Sequence, residues 1–330
     1  MDYIDITKLE DIRIIKTKSN IQLGELISKK LSEKTKIDHS VDIIENKFSN
    51  SETNIQINNS IRGKKVYIIS TGSAPVNDNL ISLRLIIDAC LLSNALSVNV
   101  ILPTFPYARS DKKDHRGPIS AAMVADLLKD ANRIVSCDIH AGQTQACFRK
   151  AFDNLYCANI LSKFLKTKIG DVKDYILCSP DAGGVKRTRA WSEKLGIDYF
   201  YTDKQRDYTK NNTVMKSIVI GTPDDIHNRT IIIVDDMADT MGTMISTATE
   251  LEKLGAKGCI IVVTHGYFSD GAIEKLNSVQ FIKYVVCTNS IDQTENIKKT
   301  NKIFVVDISD FICDVVIRLE TGQSISELFK

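Results

Sequence analysis

The chain has 330 residues, 43% of them hydrophobic and 25% charged, with a formal net charge of +2. That length allows two domains with full cores, and so small a net charge gives no reason to expect nucleic acid or an acidic membrane as a partner. Asp2, Asp5, Lys8, Glu10, Asp11 and Arg13 exclude a signal-peptide core from the opening residues, and no apolar run approaches a membrane span, so a cytoplasmic protein is expected.

Short β-branched runs alternate with helical patterns along the chain. Strands are predicted at 66–70, 98–103, 133–137, 175–179, 230–235, 259–263, 284–287 and 303–307. Helices are predicted at 79–92 and 119–129, and again from Met244 through Ala248, Leu251 and Leu254, closed by Gly255. Such alternation argues for parallel α/β sheets, whose ligands bind at the carboxyl ends of the strands. The pattern breaks around Asp153-Asn-Leu-Tyr156, which puts a domain boundary near 150–160. The eight cysteines form no Cys-x-x-Cys pair and mostly lie in apolar runs, so they read as small core residues.

Five segments carry possible chemistry. Phe105-Pro-Tyr-Ala-Arg109 opens a loop holding Arg109, Lys112, Lys113 and Arg116, either a solvated charge run or a nucleotide site with Phe105 or Tyr107 stacking on the base. Asp138 and His140 follow a strand two residues apart; they could hold a cation on a polyphosphate, or the imidazole could simply bond the backbone. Ser179-Pro-Asp-Ala-Gly-Gly184, followed by Lys186 and Arg187, is either a plain turn or a close approach of backbone to an anion. Lys204 and Arg206 precede a polar stretch without periodicity and are expected on a mobile loop, where they could neutralise charge in a transition state.

The most specific segment is the fifth. Ile231 to Val234 run straight into Asp235 and Asp236, then into Asp239-Thr-Met-Gly-Thr243 and a helix. Loop N–H groups and the helix dipole attract a phosphate. The paired carboxylates can accept bonds from neighbouring ribose hydroxyls or hold Mg²⁺. The plainer reading is an acidic strand end with a Thr cap.

Taken together, these segments resemble the ribose-phosphate diphosphokinases (PRPP synthetases) of the common ATP-specific class. The resemblance runs from Phe48-Ser-Asn-Ser-Glu52 to Ser324-Ile-Ser-Glu-Leu-Phe329 and includes Asn77-Asp-Asn-Leu80, Thr264-His-Gly266 and Val306-Asp-Ile-Ser309. It implies an α/β fold of two phosphoribosyltransferase-like domains, each with a mainly parallel sheet flanked by helices. These would span 1–156 and 157–330, with a C-terminal helix at about 314–330 packing back on the first. It also implies a homodimer assembling to a hexamer. The implied reaction transfers the diphosphoryl group of Mg-ATP to the C1 hydroxyl of ribose 5-phosphate, giving PRPP and AMP.

The resemblance assigns the catalytic role to Lys204, Arg206 and His140. ATP would meet Phe48, Asn50 and Glu52 of a neighbouring subunit, together with Arg109 and Asp114. Ribose 5-phosphate would sit on Asp235, Asp236, Asp239, Thr240, Met241, Gly242 and Thr243. The diphosphate would lie along Asp181, Ala182, Gly183 and Gly184, and Mg²⁺ at Asp138, His140, Asp153 and Asp181. Four departures from the family pattern stand out: Ser110 replaces Gln, the ATP loop is one residue short near His115-Arg-Gly117, Arg149 replaces an acid, and Met241 replaces a small residue. The Met241 side chain is expected to point outward. Two other readings compete: a non-catalytic regulatory subunit, and a phosphoribosyltransferase that consumes PRPP.

Overall fold

The computed structural model describes the backbone of residues 6–207, 213–220 and 226–329, and side chains over the same residues except Ile6 and 203–220. The chain divides into two compact units: Met1–Tyr156 with Ser290–Asp292 and Asp307–Lys330, and Cys157–Asn289 with Gln293–Val306. No helix among the described residues is long and apolar enough to cross a membrane.

The first unit begins with β1 (Ile12–Lys16), α1 (Ile21–Thr35), β2 (Ser40–Val41), β3 (Ile43–Lys47), β4 (Thr53–Ile57) and β5 (Lys65–Ile69). It continues with α2 (Val76–Leu92), β6 (Ser97–Ile101), α3 (Ser120–Leu128), β7 (Arg133–Cys137) and β8 (Ala151–Leu155). Six strands form a sheet of order β2-β1-β5-β6-β7-β8, and every pairing in it is parallel. The segment where the sequence pattern breaks is thus the edge strand β8. Its burial is only partial, and Asp153 and Asn154 interrupt the apolar run, so periodicity alone does not mark it.

Helix α1 shows how local chemistry builds this layer. Asn20 Oδ1 caps it by accepting from Leu23 N at 3.2 Å. Leu23, Ile27 and Leu31 recur every four residues and are fully buried; each contributes about 1.5–3 kcal/mol by leaving water. The helix stops where Lys36 takes a left-handed φ of 62° and its N–H closes on Ser32 O at 2.8 Å.

The second unit holds α4 (Ala158–Ile169), β9 (Tyr175–Ser179), α5 (Val185–Leu195), β10 (Tyr199–Asp207), β11 (Thr213–Ile220), β12 (Thr230–Ala238) and α6 (Gly242–Lys253). It is completed by β13 (Gly258–Gly266), α7 (Ala272–Ser278), β14 (Ile282–Thr288), α8 (Thr294–Ile297) and β15 (Ile303–Val306). The sheet order is β11-β10-β9-β12-β13-β14-β15, parallel except for the antiparallel β10–β11 edge. β12 and β13 are buried through nearly their whole length, and their stretches Ile231–Val234 and Cys259–Val263 are unbroken apolar runs.

The last helix, α9 (Ser309–Thr321), belongs to the first unit and starts five residues before the expected 314. It packs on α1. Lys30 Nζ reaches Asp307 at 3.0 Å and Asp310 at 2.7 Å, and Lys34 Nζ reaches Asp314 at 2.5 Å. At its far end Glu320 accepts from Tyr67 Oη and Lys65 Nζ, both at 2.6 Å.

All eight cysteines are free and seven are buried. Burial pushes the thiol of Cys90 up to about 12 and that of Cys313 up to about 11, so they behave as small apolar residues.

Candidate active site

In the second unit the strand order reverses between β9 and β12, where a ligand crevice is expected. After β9 the chain turns at Asp181 into a single 3-10 turn, Ala182–Gly184, and then into α5. Asp181 Oδ1 accepts from Gly184 N at 2.9 Å, and Ser179 Oγ donates to Asp181 O at 2.7 Å. A Cβ on Gly184 would stand 2.5 Å from Ser179 Oγ, so the turn closes only around glycine. Ala182 and Gly183 face solvent beside it.

Strand β12 does not stop at the acids. It pairs with β13 through Ala238, so Asp235 and Asp236 are strand residues. Asp236 is buried and Asp235 partly exposed. Burial, and then the Asp236 carboxylate, push the Asp235 carboxyl up to about 7, while the guanidinium of Arg187 pulls it the other way. Arg187, in the first turn of α5, lies 2.7 Å from Asp235 Oδ1 through Nη1 and 3.7 Å from Asp236 Oδ1 through Nη2. Asp235 Oδ1 also accepts from Asp236 N at 2.9 Å.

The loop beyond β12 is propped by the chain that follows β13. Tyr267 N and Phe268 N donate to Ala238 O at 2.8 and 3.2 Å, and Ser269 N donates to Asp239 O at 3.1 Å. Thr240, Gly242 and Thr243 are exposed around the start of α6, whose first N–H groups have no partner within the helix. Met241 corrects the expectation of an outward side chain. It adopts φ 64° and is only 2% exposed, packed in the core with Ala238, Met244 and Phe268. The left-handed backbone turns the side chain inward, and burial of the thioether outweighs the ~1 kcal/mol that this conformation costs.

Lys204 and Arg206 are expected on a loop, but their backbone belongs to β10. It pairs with β11 and has a register irregularity between Gln205 and Arg206. Their side chains, and residues 208–212, lie outside those described.

In the first unit, Asp138 leaves β7 with φ 39°, its N–H bonded to Leu155 O at 2.8 Å, and exposed His140 follows. Asp153, also expected in the metal set, has its Oδ2 engaged by Arg133 from the neighbouring strand. Phe105 is a correction to the expected base stacking. It is 3% exposed and packs edge-on against Phe148 at 5.9 Å, so it cannot stack on a base; Phe148 is likewise spent on Phe105 and Phe152.

The neighbouring loop offers Arg109, Asp114 and Tyr107 to solvent. Ser110 ties that loop shut. Its Oγ accepts from Ser120 N at 3.2 Å and its carbonyl from Ala121 N at 3.0 Å, capping α3 from outside the helix. Gln143 donates to Asp111, which fastens the loop to the turn after His140. Phe48, Asn50 and Glu52 form the tip of the β3–β4 hairpin. Phe48 N bonds Glu52 O at 2.8 Å, and Phe48 is 56% exposed. An exposed aromatic residue on a hairpin tip is suited to stacking.

Comparison with known proteins places the chain in a family. A model of the N-terminal domain of ribose phosphate pyrophosphokinase matches residues 12–131, and a phosphoribosyl synthetase-associated domain model matches 202–330. The crystal structure of phosphoribosylpyrophosphate synthetase from Mycobacterium smegmatis superposes with a TM-score of 0.86 at 30% identity, covering 94% of this chain and 99% of that one. The chain belongs to the ribose phosphate pyrophosphokinase family. It is an ATP-dependent diphosphotransferase that makes PRPP and AMP for nucleotide synthesis. A purine phosphoribosyltransferase from Pyrococcus horikoshii also matches, over 45% of this chain and 84% of its own at 20% identity. So does an adenine phosphoribosyltransferase from Leishmania tarentolae, over 41% and 73% at 17% identity. Their TM-scores of 0.29 and 0.30 carry no argument.

Proposed function

We propose that this pyrophosphokinase seats ribose 5-phosphate at the end of β12 and transfers to it the diphosphoryl group of ATP. The observation that carries this reading is a pair of acids, one of them buried, leading into a loop that opens a helix. Thr240, Gly242 and Thr243, with Asp239, surround the sugar phosphate, which the α6 N-terminus attracts. Asp235 and Asp236 accept from ribose hydroxyls. The Asp181–Gly184 turn brings backbone close to the diphosphate.

Arg109 and Asp114 take the ATP polyphosphate and its surroundings, and the exposed tip with Phe48, Asn50 and Glu52 takes the adenine of a neighbouring subunit. That role implies at least a homodimer. Lys204 and Arg206 neutralise charge that builds on the transferred group, because diphosphoryl transfer depends on alignment and charge more than on a strong base.

The donors fit Mg²⁺. Among the described residues no three His, Cys, Asp or Glu side chains form a cage. That suits a hydrated ion held largely by nucleotide phosphates and one or two carboxylates. Asp138 would supply an oxygen and His140 would hold a water of the ion; Asp181 spends Oδ1 on its turn. Once bound, the ion would withdraw charge from the phosphates.

Release of AMP from ATP and Mg²⁺, with and without ribose 5-phosphate, tests the reading. A ribose-5-phosphate-dependent rate should fall by roughly a thousandfold in Lys204→Ala. An unchanged rate in that variant would remove Lys204 from the mechanism.

A further inference from the structure

The first turn of α5 breaks a local rule. It carries Lys186 and Arg187, with Arg189 next, and no acid, although cations at a helix N-terminus oppose its dipole. Such a conflict needs a compensating partner. For Arg187 the partner is the acidic pair of β12, at 2.7 Å from Asp235 and 3.7 Å from Asp236.

That contact does more than balance charge. Asp235 Oδ1 accepts from both Arg187 Nη1 and Asp236 N, at 2.7 and 2.9 Å. Two donors on one oxygen fix the plane of a carboxylate that could otherwise rotate. Arg187 is also rooted in the helix that the diphosphate turn opens, since Gly184 leads directly into Val185. The Arg187 side chain keeps only 26% of its surface exposed, and that of Asp235 20%. The same ion pair is therefore worth more here than on the open surface.

We propose that Arg187 is a positioning residue of the synthetase: it orients the Asp235 carboxylate for the ribose hydroxyls and ties the sugar subsite to the diphosphate turn. The inference rests on the reading of Asp235 and Asp236 as the ribose contacts. A second carboxylate 3.7 Å away on Nη2 explains why the residue is Arg: a planar fork addresses two acids at once, and a lysine's single ammonium cannot do so with the same geometry.

The test uses the full chain and three single variants, Arg187→Met, Arg187→Lys and Asp235→Asn, with the double variant Asp235→Asn/Arg187→Met. Methionine keeps the apolar stem, so folding is retained, and thermal melting checks it. Steady-state rates are measured with ribose 5-phosphate and Mg-ATP varied separately. Arg187→Met should raise KM for ribose 5-phosphate roughly tenfold or more while KM for ATP moves less than about threefold, and Arg187→Lys should recover most of the loss. In the Asp235→Asn background, Arg187→Met should add less than about threefold, because both changes remove one arrangement. Independent, multiplying effects would overturn the positioning role alone. A fall in kcat with unchanged KM for ribose 5-phosphate would do the same. An Asp235→Asn enzyme with unchanged KM for ribose 5-phosphate would instead overturn the ribose reading itself, and this inference with it.

Discussion

In the second unit the strand order reverses between β9 and β12, and the strand ends there carry Asp181, Asp235 and Asp236. In the first it reverses between β1 and β5, where hydroxyls close on one another. Thr17 Oγ1 meets Ser19 Oγ at 2.6 Å, Ser19 Oγ meets Ser70 Oγ at 3.2 Å, and Thr71 N donates to Ser19 Oγ at 2.9 Å. The Ser290 carbonyl then accepts from Thr71 Oγ1 at 2.9 Å and Asn20 Nδ2 at 3.2 Å. One topology gives two positions with opposite chemistry. A hydroxyl both donates and accepts, so a cluster of them can satisfy itself. A carboxylate only accepts, so an acidic pair needs a donor from elsewhere. Arg187 supplies one, and ribose hydroxyls are read as the others.

Breaking each position separately tests that contrast. The largest effect is expected at the acids: Asp236→Ala should cut kcat/KM for ribose 5-phosphate by roughly a hundredfold or more. Thr71→Val, at the hydroxyl position, should leave it within about threefold of the parent. A similar loss in both would erase the distinction.

Asn20→Ala should act on stability instead. It deletes the α1 cap and one of the Ser290 contacts, at about 2 kcal/mol in urea titration. A raised KM for ribose 5-phosphate in that variant would show that the hydroxyl position also serves substrate.

Met241→Gly separates packing from binding within the sugar loop. Losing the buried side chain outweighs relief of the φ 64° backbone, for a net cost of about 1–2 kcal/mol with little change in KM. A more stable variant would mean that the core contact is idle.

The smallest effect is a pH dependence. The Asp235 carboxyl is raised to about 7, so the folded chain holds this proton more tightly than the unfolded one. The stabilisation is complete below the ordinary carboxylate range, near pH 4, and is lost as pH rises through 7. With a fifth of the side chain in water, screening leaves on the order of 1 kcal/mol. Asp235→Asn should therefore melt slightly higher than the parent at pH 8 and equally at pH 4. Equal melting at both would mean that the acid is not strained by its surroundings.

Much of this was legible in the sequence because each signal was local. The runs at 133–137 and 175–179 are strands β7 and β9 to the residue. The order of acids, loop and helix after Ile231 likewise follows from adjacent residues. What escaped was tertiary. The pairing of Arg133 with Asp153 joins two strands, and the Arg187 contact to Asp235 crosses 48 positions. Whether Phe105 faces a base or a core depends on Phe148 and Phe152, which no periodicity places beside it. The strand character of Lys204 and Arg206 comes from pairing with β11 and not from their own polar run. A basic first turn in α5 was the one visible hint of Arg187.

The clasp between α1 and α9 has a consequence for how the chain is made. Phe311, Ile312, Cys313, Val315 and Val316 are buried parts of the first unit, yet they emerge from the ribosome only after Cys157–Asn289 and Gln293–Val306. At about 5–20 residues per second, the first unit waits on the order of ten seconds or more for its closing helix. During that interval the face of α1 that carries Lys30 and Lys34 is uncovered. The second unit, whose last strand ends at Val306, is released whole before the first can be completed.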